Sequence, residues 1–109
     1  MTVTANLLQW PDAPRTGEVT DTLFRRGGVR IERILSTGQA SPADFWYDQA
    51  EDEWVSVVQG SAGLQWDGGA ITELAAGDWI LIPAHKKHRV ERTSSDPPCI
   101  WLVMFLPSA

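Results

Sequence analysis

At 109 residues, 43% of them hydrophobic and 21% charged, the chain has the size and balance of one globular domain whose core needs no covalent staple. A formal net charge of -5 argues against general nucleic-acid binding, which needs a cationic face for the phosphates. The lone cysteine, Cys99, excludes an internal disulfide and a four-thiolate zinc site, and no apolar run approaches the ~20 residues that span a bilayer.

The chain begins without the basic start and long apolar core of a signal peptide, so a cytoplasmic location with no membrane partner is expected. Residues 1–17 read as an N-terminal arm, with Leu7, Leu8 and Trp10 docked on the body and a loop pinned by Pro11 and Pro14. Val19 to Arg26 favours a strand, Gly27 and Gly28 a turn, and Val29 to Leu35 a second strand. A helix through that double glycine would lose about 1 kcal/mol at each.

Gly38 to Pro42 is a small-residue loop, and Phe45, Trp46 and Tyr47 suggest a short aromatic strand. Glu53 to Gln59 is a strand with Val55 and Val57 on one face. After a turn at Gly60, Ala62, Leu64 and Trp66 share one face of the next strand. Asp67, Gly68 and Gly69 form a hairpin turn, since consecutive positive-φ positions suit glycine. Ala70 to Leu74 returns, Gly77 and Asp78 turn into Trp79 to Ile82, and Val90 marks a strand leaving two histidines. Beyond Pro97 and Pro98, Ile100 to Leu106 closes the chain as a strand buried on both faces. Cys99 borders this run and is expected to be a buried, inert thiol. About eight to ten short strands with no long helix predict an all-β sandwich or closed barrel, best matched by a jelly roll. Most of the six tryptophans are expected to fill core, some to line a cavity or an interface.

Two segments in register resemble the paired motifs of the cupin family. Its first motif ends in Glu, six residues, Gly, and Glu53 and Gly60 keep that spacing. Its second runs Gly, five residues, Pro-x-Gly, two residues, His, matched by Gly77, Pro83 and His88. Sixteen residues separate Gly60 from Gly77, as in compact microbial cupins. A subset of small bacterial cupins is similar more closely, through Phe-Trp-Tyr-Asp-Gln, Asp-Glu-Trp-Val and Pro-Ala-His-x-x-His-Arg-Val. The resemblance covers residues 38–105 and implies a single cupin domain over 1–109, a double-stranded β-helix or jelly-roll barrel. Such barrels commonly form homodimers.

The first motif's two histidines are replaced. One permitted spacing puts Tyr47 and Gln49 in their places, the other Trp46 and Asp48. The second motif's inner glycine is His85, and its terminal asparagine position is Arg92. By resemblance, Glu53 and His88 are retained metal ligands inside the barrel. His85 would restore a third, and Gln49 could add a neutral oxygen. Two imidazoles and a carboxylate suit zinc, iron(II) or manganese. Residues three apart in a regular strand point to opposite faces, so His85 and His88 converge only if residues 84–87 bend. Otherwise His85 bonds a nearby carboxylate such as Asp48. Tyr47 and Trp46 are the candidate substrate-binding residues. Arg25, Arg26, Arg30, Arg33, Lys86, Lys87, Arg89 and Arg92 could hold an anion, although alternating strand charges usually form a solvated face. Two functions stay open: a divalent-metal barrel acting on or holding a small molecule, and a metal-free ligand-binding or sensing module.

Overall fold

The computed structural model describes residues 4–10 and 17–108, so the loop expected around Pro11 and Pro14 lies outside the described residues. Eight strands follow one another: β1 (Val19–Arg26), β2 (Val29–Ser36), β3 (Glu51–Gln59), β4 (Ser61–Trp66), β5 (Ile71–Ala75), β6 (Trp79–Ile82), β7 (His88–Thr93) and β8 (Cys99–Pro107). No helix occurs among the described residues. The strands form a five-stranded sheet in the order β1-β2-β8-β3-β6 and a three-stranded sheet in the order β5-β4-β7. All pairings are antiparallel. This is the expected jelly-roll barrel.

Period-two patterning decides what faces inward. On β3, Val55 and Val57 enter the core while Trp54 and Ser56 turn away. On β4, Ala62 and Leu64 meet them from the other sheet. Ile82 of β6 and Cys99, Trp101, Val103 and Phe105 of β8 complete this inter-sheet core. Burial pushes the Cys99 thiol up to about 12, which leaves it un-ionised and inert at neutral pH.

Three expectations need correction. Most of the tryptophans do not fill core: Trp101 is buried, Trp10, Trp54 and Trp66 are partly exposed, and Trp46 and Trp79 are exposed. Phe45, Trp46 and Tyr47 do not form a strand. The Phe45 amide donates back to the Pro42 carbonyl at 3.0 Å, closing a turn, and only Tyr47 joins a sheet, as an isolated antiparallel bridge to His88. Strand β8 is not fully covered on both faces: Ile100 is buried, but Leu102, Met104 and Leu106 are partly exposed. Of the arm expected to dock, Leu7 and Trp10 are partly buried, but Leu8 is 53% exposed. The Arg33 guanidinium donates to the carbonyls of Asn6, Leu7 and Gln9 at 3.1, 3.2 and 2.7 Å, and its carbon lies 4.0 Å from the Trp10 ring centroid.

Gly60 shows why its place in the motif needs glycine. Its φ is 78°, and a Cβ there would collide with Ser94 Oγ and come within 2.9 Å of the Pro98 carbonyl and 3.1 Å of Cys99 Cα. Gly27 has a φ of 56° and open space around it. Gly27→Ala is therefore expected to cost about 1 kcal/mol of backbone strain. Gly60→Ala should cost roughly 2 to 4 kcal/mol, because overpacking adds to strain. Urea unfolding of both variants checks this, and equal losses would refute the steric argument.

Candidate functional site

Three segments converge at one end of the core. On β3, Glu53 shares the parity of Val55 and Val57, so alternation carries its carboxylate to the inner face. His88, the first residue of β7, is 4% exposed. Tyr47 lies beside it: its amide donates to the His88 carbonyl at 2.7 Å, and the His88 amide to the Tyr47 carbonyl at 3.2 Å. That bridge stacks the Tyr47 ring on the imidazole, with centroids 5.3 Å apart and an interplanar angle of 24°. Trp66 stands on the ring at a tilt, 6.0 Å away.

The imidazole is oriented from both ends. Nδ1 lies 2.8 Å from the Lys86 carbonyl. A carbonyl can only accept, so Nδ1 carries the hydrogen and Nε2 is the titrating nitrogen. Nε2 faces Glu53 Oε1 at 3.4 Å. Burial works against protonation of His88, but the Glu53 contact, the Lys86 carbonyl and the Glu53 charge together lift it above the ordinary 6.5. The Glu53 contact is loose. Oε1 is enclosed without a well-formed hydrogen bond, and so is Gln49 Oε1. Burial, then the charges of Glu18 and Glu53, raise the Tyr47 phenol above 10.0, so it stays protonated at neutral pH.

Glu53, Tyr47 and Gln49 open onto a cavity of about 190 Å³ whose wall also includes Glu18, Glu32, Trp101 and Phe105, and His88 stands beside Glu53 outside that lining. Tyr47 and Gln49 both line it, which settles the register left open above: they, not Trp46 and Asp48, take the inward places. Trp46, expected to meet substrate, is not part of the lining and is 36% exposed. Glu18 and Glu32 were not foreseen. Glu32 shares the parity of the inward Ile34 and could have been found by extending that alternation. Glu18 precedes its strand and carries no periodic signal.

His85 does not join His88. Residues 83–86 form a tight turn in which the Lys86 amide donates to the Pro83 carbonyl at 3.2 Å. His85 takes its third position with φ at 65°, a left-handed conformation that favours glycine, and glycine is what the motif has there. The turn directs the imidazole outward. Its side chain is 69% exposed, with Nδ1 2.8 Å from Asp48 Oδ1. Among the described residues no three His, Cys, Asp or Glu side chains gather to hold a metal. Among the described residues the cavity presents the carboxylates of Glu18, Glu32 and Glu53 and the Gln49 amide oxygen, with the His88 imidazole beside Glu53, a set with a single nitrogen donor where transition-metal sites commonly use several. Of the eight cations that could hold an anion, three are in ion pairs: Arg30 with Glu32 and Glu51, Arg33 with Asp21, and Arg92 with Glu73.

Comparison with known proteins agrees with this architecture. A family model described as "Cupin domain" matches residues 32–105, and the chain belongs to that family. A solved structure from Ralstonia eutropha JMP134, named as a candidate mannose-6-phosphate isomerase, is 42% identical over 98% of this chain and 100% of its own, with a TM-score of 0.91. An RmlC-like cupin from Desulfovibrio desulfuricans covers 100% of both chains at 19% identity and a TM-score of 0.77. A cupin superfamily protein from Desulfitobacterium hafniense DCB-2 matches 90% of this chain and 84% of its own at 19% identity and a TM-score of 0.75. No curated protein matches the sequence.

Two outcomes follow from the geometry. Because the folded-state pKa of His88 is raised, the stabilisation from its protonated form is complete below about pH 6.5 and is lost as pH rises through the folded-state value. NMR titration should show that raised value, and Glu53→Gln should drop it below 6.5 because the burial penalty remains. An unchanged titration would remove Glu53 as the cause. His85→Gly should leave the His88 titration intact and change stability by less than about 1 kcal/mol, relief of backbone strain offsetting the lost exposed pair. Denaturant curves check this.

Proposed function

We propose that this barrel holds a small molecule in the Glu53, His88 and Tyr47 cavity and exchanges a proton with it, without depending on a tightly held metal. The observation that carries this reading is the orientation of His88. With Nδ1 committed to the Lys86 carbonyl, Nε2 is the nitrogen free to take or give a proton. Glu53 beside it at 3.4 Å compensates the imidazolium once formed. This is the arrangement of a general base with an orienting carbonyl and a charge-balancing carboxylate. Tyr47, a phenol held in its protonated form, supplies a hydrogen-bond donor on the same wall. The walls of Ile34, Leu64, Val103 and Phe105 keep the site poorly hydrated, which strengthens each of these polar contacts.

Proton transfer is the chemistry of many isomerases, and the Ralstonia protein named as a candidate mannose-6-phosphate isomerase lends that class some weight. Its named substrate fits less well. A phosphate group needs lysine, arginine or a helix N-terminus, and among the described residues no lysine or arginine lines this cavity.

A second reading has one observation in its favour: Glu53 Oε1 and Gln49 Oε1 are buried without a well-formed hydrogen bond. Glu53, His88 and Gln49 would then hold a zinc, iron or manganese ion, which would supply Lewis acidity. A ligand's own N–H or O–H groups serve the same oxygens, so the first reading accounts for them too.

Purified protein should keep well under one equivalent of metal by elemental analysis. Added zinc, manganese or anaerobic iron(II) should scarcely move its melting temperature. A metal present at a hundred times its Kd would instead stabilise by about 2.7 kcal/mol, a rise on the order of 10 °C or more. One retained equivalent that disappears in Glu53→Gln would establish the second reading and overturn the first.

A further inference from the structure

The cavity has a definite electrostatic character. Among the described residues three carboxylates line it, Glu18, Glu32 and Glu53, and no lysine or arginine does. Glu18, an exposed residue, accepts a hydrogen bond from the neutral Ser36 Oγ at 3.0 Å. Glu32 is met by Arg30 Nε at 2.9 Å, but that guanidinium also faces Glu51 at 3.3 Å, so one positive charge serves two carboxylates. Glu53 has only the loose His88 contact at 3.4 Å. Glu53 Oε1 has no well-formed hydrogen bond beyond that loose contact and Gln49 Oε1 has none, which leaves the inner end with under-satisfied acceptors, a costly state for enclosed polar groups.

The apolar walls carry the same sign preference. Tyr47, Trp101 and Phe105 line the cavity, and an aromatic face attracts a cation through its quadrupole. A volume of about 190 Å³ somewhat exceeds the ~150 Å³ apolar cavity that accepts benzene, so a six-membered ring with a short arm is the size limit.

Resting on the reading that this cavity is the ligand site, we infer that its ligand is a small organic cation, a protonated amine of up to about ten heavy atoms. The ammonium N–H groups donate to Glu53 Oε1 and Gln49 Oε1, and the apolar body lies against Trp101 and Phe105. A divalent ion would satisfy the same oxygens but would leave the apolar volume unfilled. Anionic ligands, phosphate included, are disfavoured by the three carboxylates.

Calorimetric titration near pH 7.5, with a chelator present, of benzylammonium, benzyl alcohol, benzoate and inorganic phosphate tests this, because the first three share a ring and differ in charge. Benzylammonium should bind at least tenfold more tightly than benzyl alcohol, with benzoate and phosphate showing no saturable heat. Glu18→Gln, which keeps an acceptor for Ser36, should weaken the amine several-fold and leave the alcohol unchanged. Should that variant fail to fold, the wild-type series decides alone. Equal affinity for amine and alcohol would overturn the cationic ligand while sparing the small-molecule cavity. Tighter benzoate or phosphate binding would overturn it outright, and amine binding that vanishes only when the chelator is added would assign the site to a metal. Silence from all four compounds would sink both the inference and the reading it rests on.

Discussion

The constraint on which the site depends is a carboxylate brought inside a barrel by strand alternation. Glu53 has no freedom to avoid the interior, because Val55 and Val57 on the same strand must face the core and period two takes Glu53 with them. An enclosed carboxylate needs a cation or several donors. His88 Nε2 stands 3.4 Å away, and the Glu53 contact lifts the His88 pKa against the opposing effect of burial. The rest of the site serves this contact. Lys86 fixes the imidazole tautomer through its carbonyl, Tyr47 covers the ring, and the bridge between Tyr47 and His88 ties an otherwise irregular loop to the smaller sheet.

The turn that precedes His88 shows how backbone conformation decides which side chains take part. Residues 83–86 reverse the chain between β6 and β7, and the third position must adopt positive φ. A glycine there is silent. A histidine there is presented to solvent, where it meets Asp48 and contributes nothing to the cavity. Two histidines three residues apart thus have opposite fates: one is set by a turn, the other by the first pair of a sheet ladder.

Much of the fold was legible because it rests on local rules. Alternation signals β2, β3 and β4, continuous apolar runs signal β6 and β8, and glycine or proline marks most of the breaks between strands. Strand β7 was visible only as Val90 among polar neighbours, since its inward side chains include a histidine. In the site, Glu53 and His88 were legible through motif spacing and parity. What was not legible depends on loops. The inward places of Tyr47 and Gln49 were one of two permitted registers, because residues 45–50 follow no strand period. Trp46 was misplaced for the same reason. Glu18 and Glu32 reach the cavity through the pairing of β1 with β2 and of β2 with β8, long-range contacts that no window of sequence contains.

Replacing an imidazole pair by Tyr47 and Gln49 changes what kind of compensation the barrel can offer. Neutral imidazoles with free lone pairs would join Glu53 and His88 in holding a metal, and the metal's charge would offset the buried carboxylate. A phenol held above its ordinary pKa and an amide provide hydrogen-bonding groups but no comparable lone pairs for a soft or borderline ion. The negative charge of the interior is then left to protons and to whatever enters the cavity. His88 can meet part of it by binding a proton, but the same burial that makes Glu53 demanding also opposes a second charge beside it. On the proposed reading, a barrel built in this way would keep the carboxylate and histidine while drawing the positive charge they require from an exchangeable partner rather than from a resident ion.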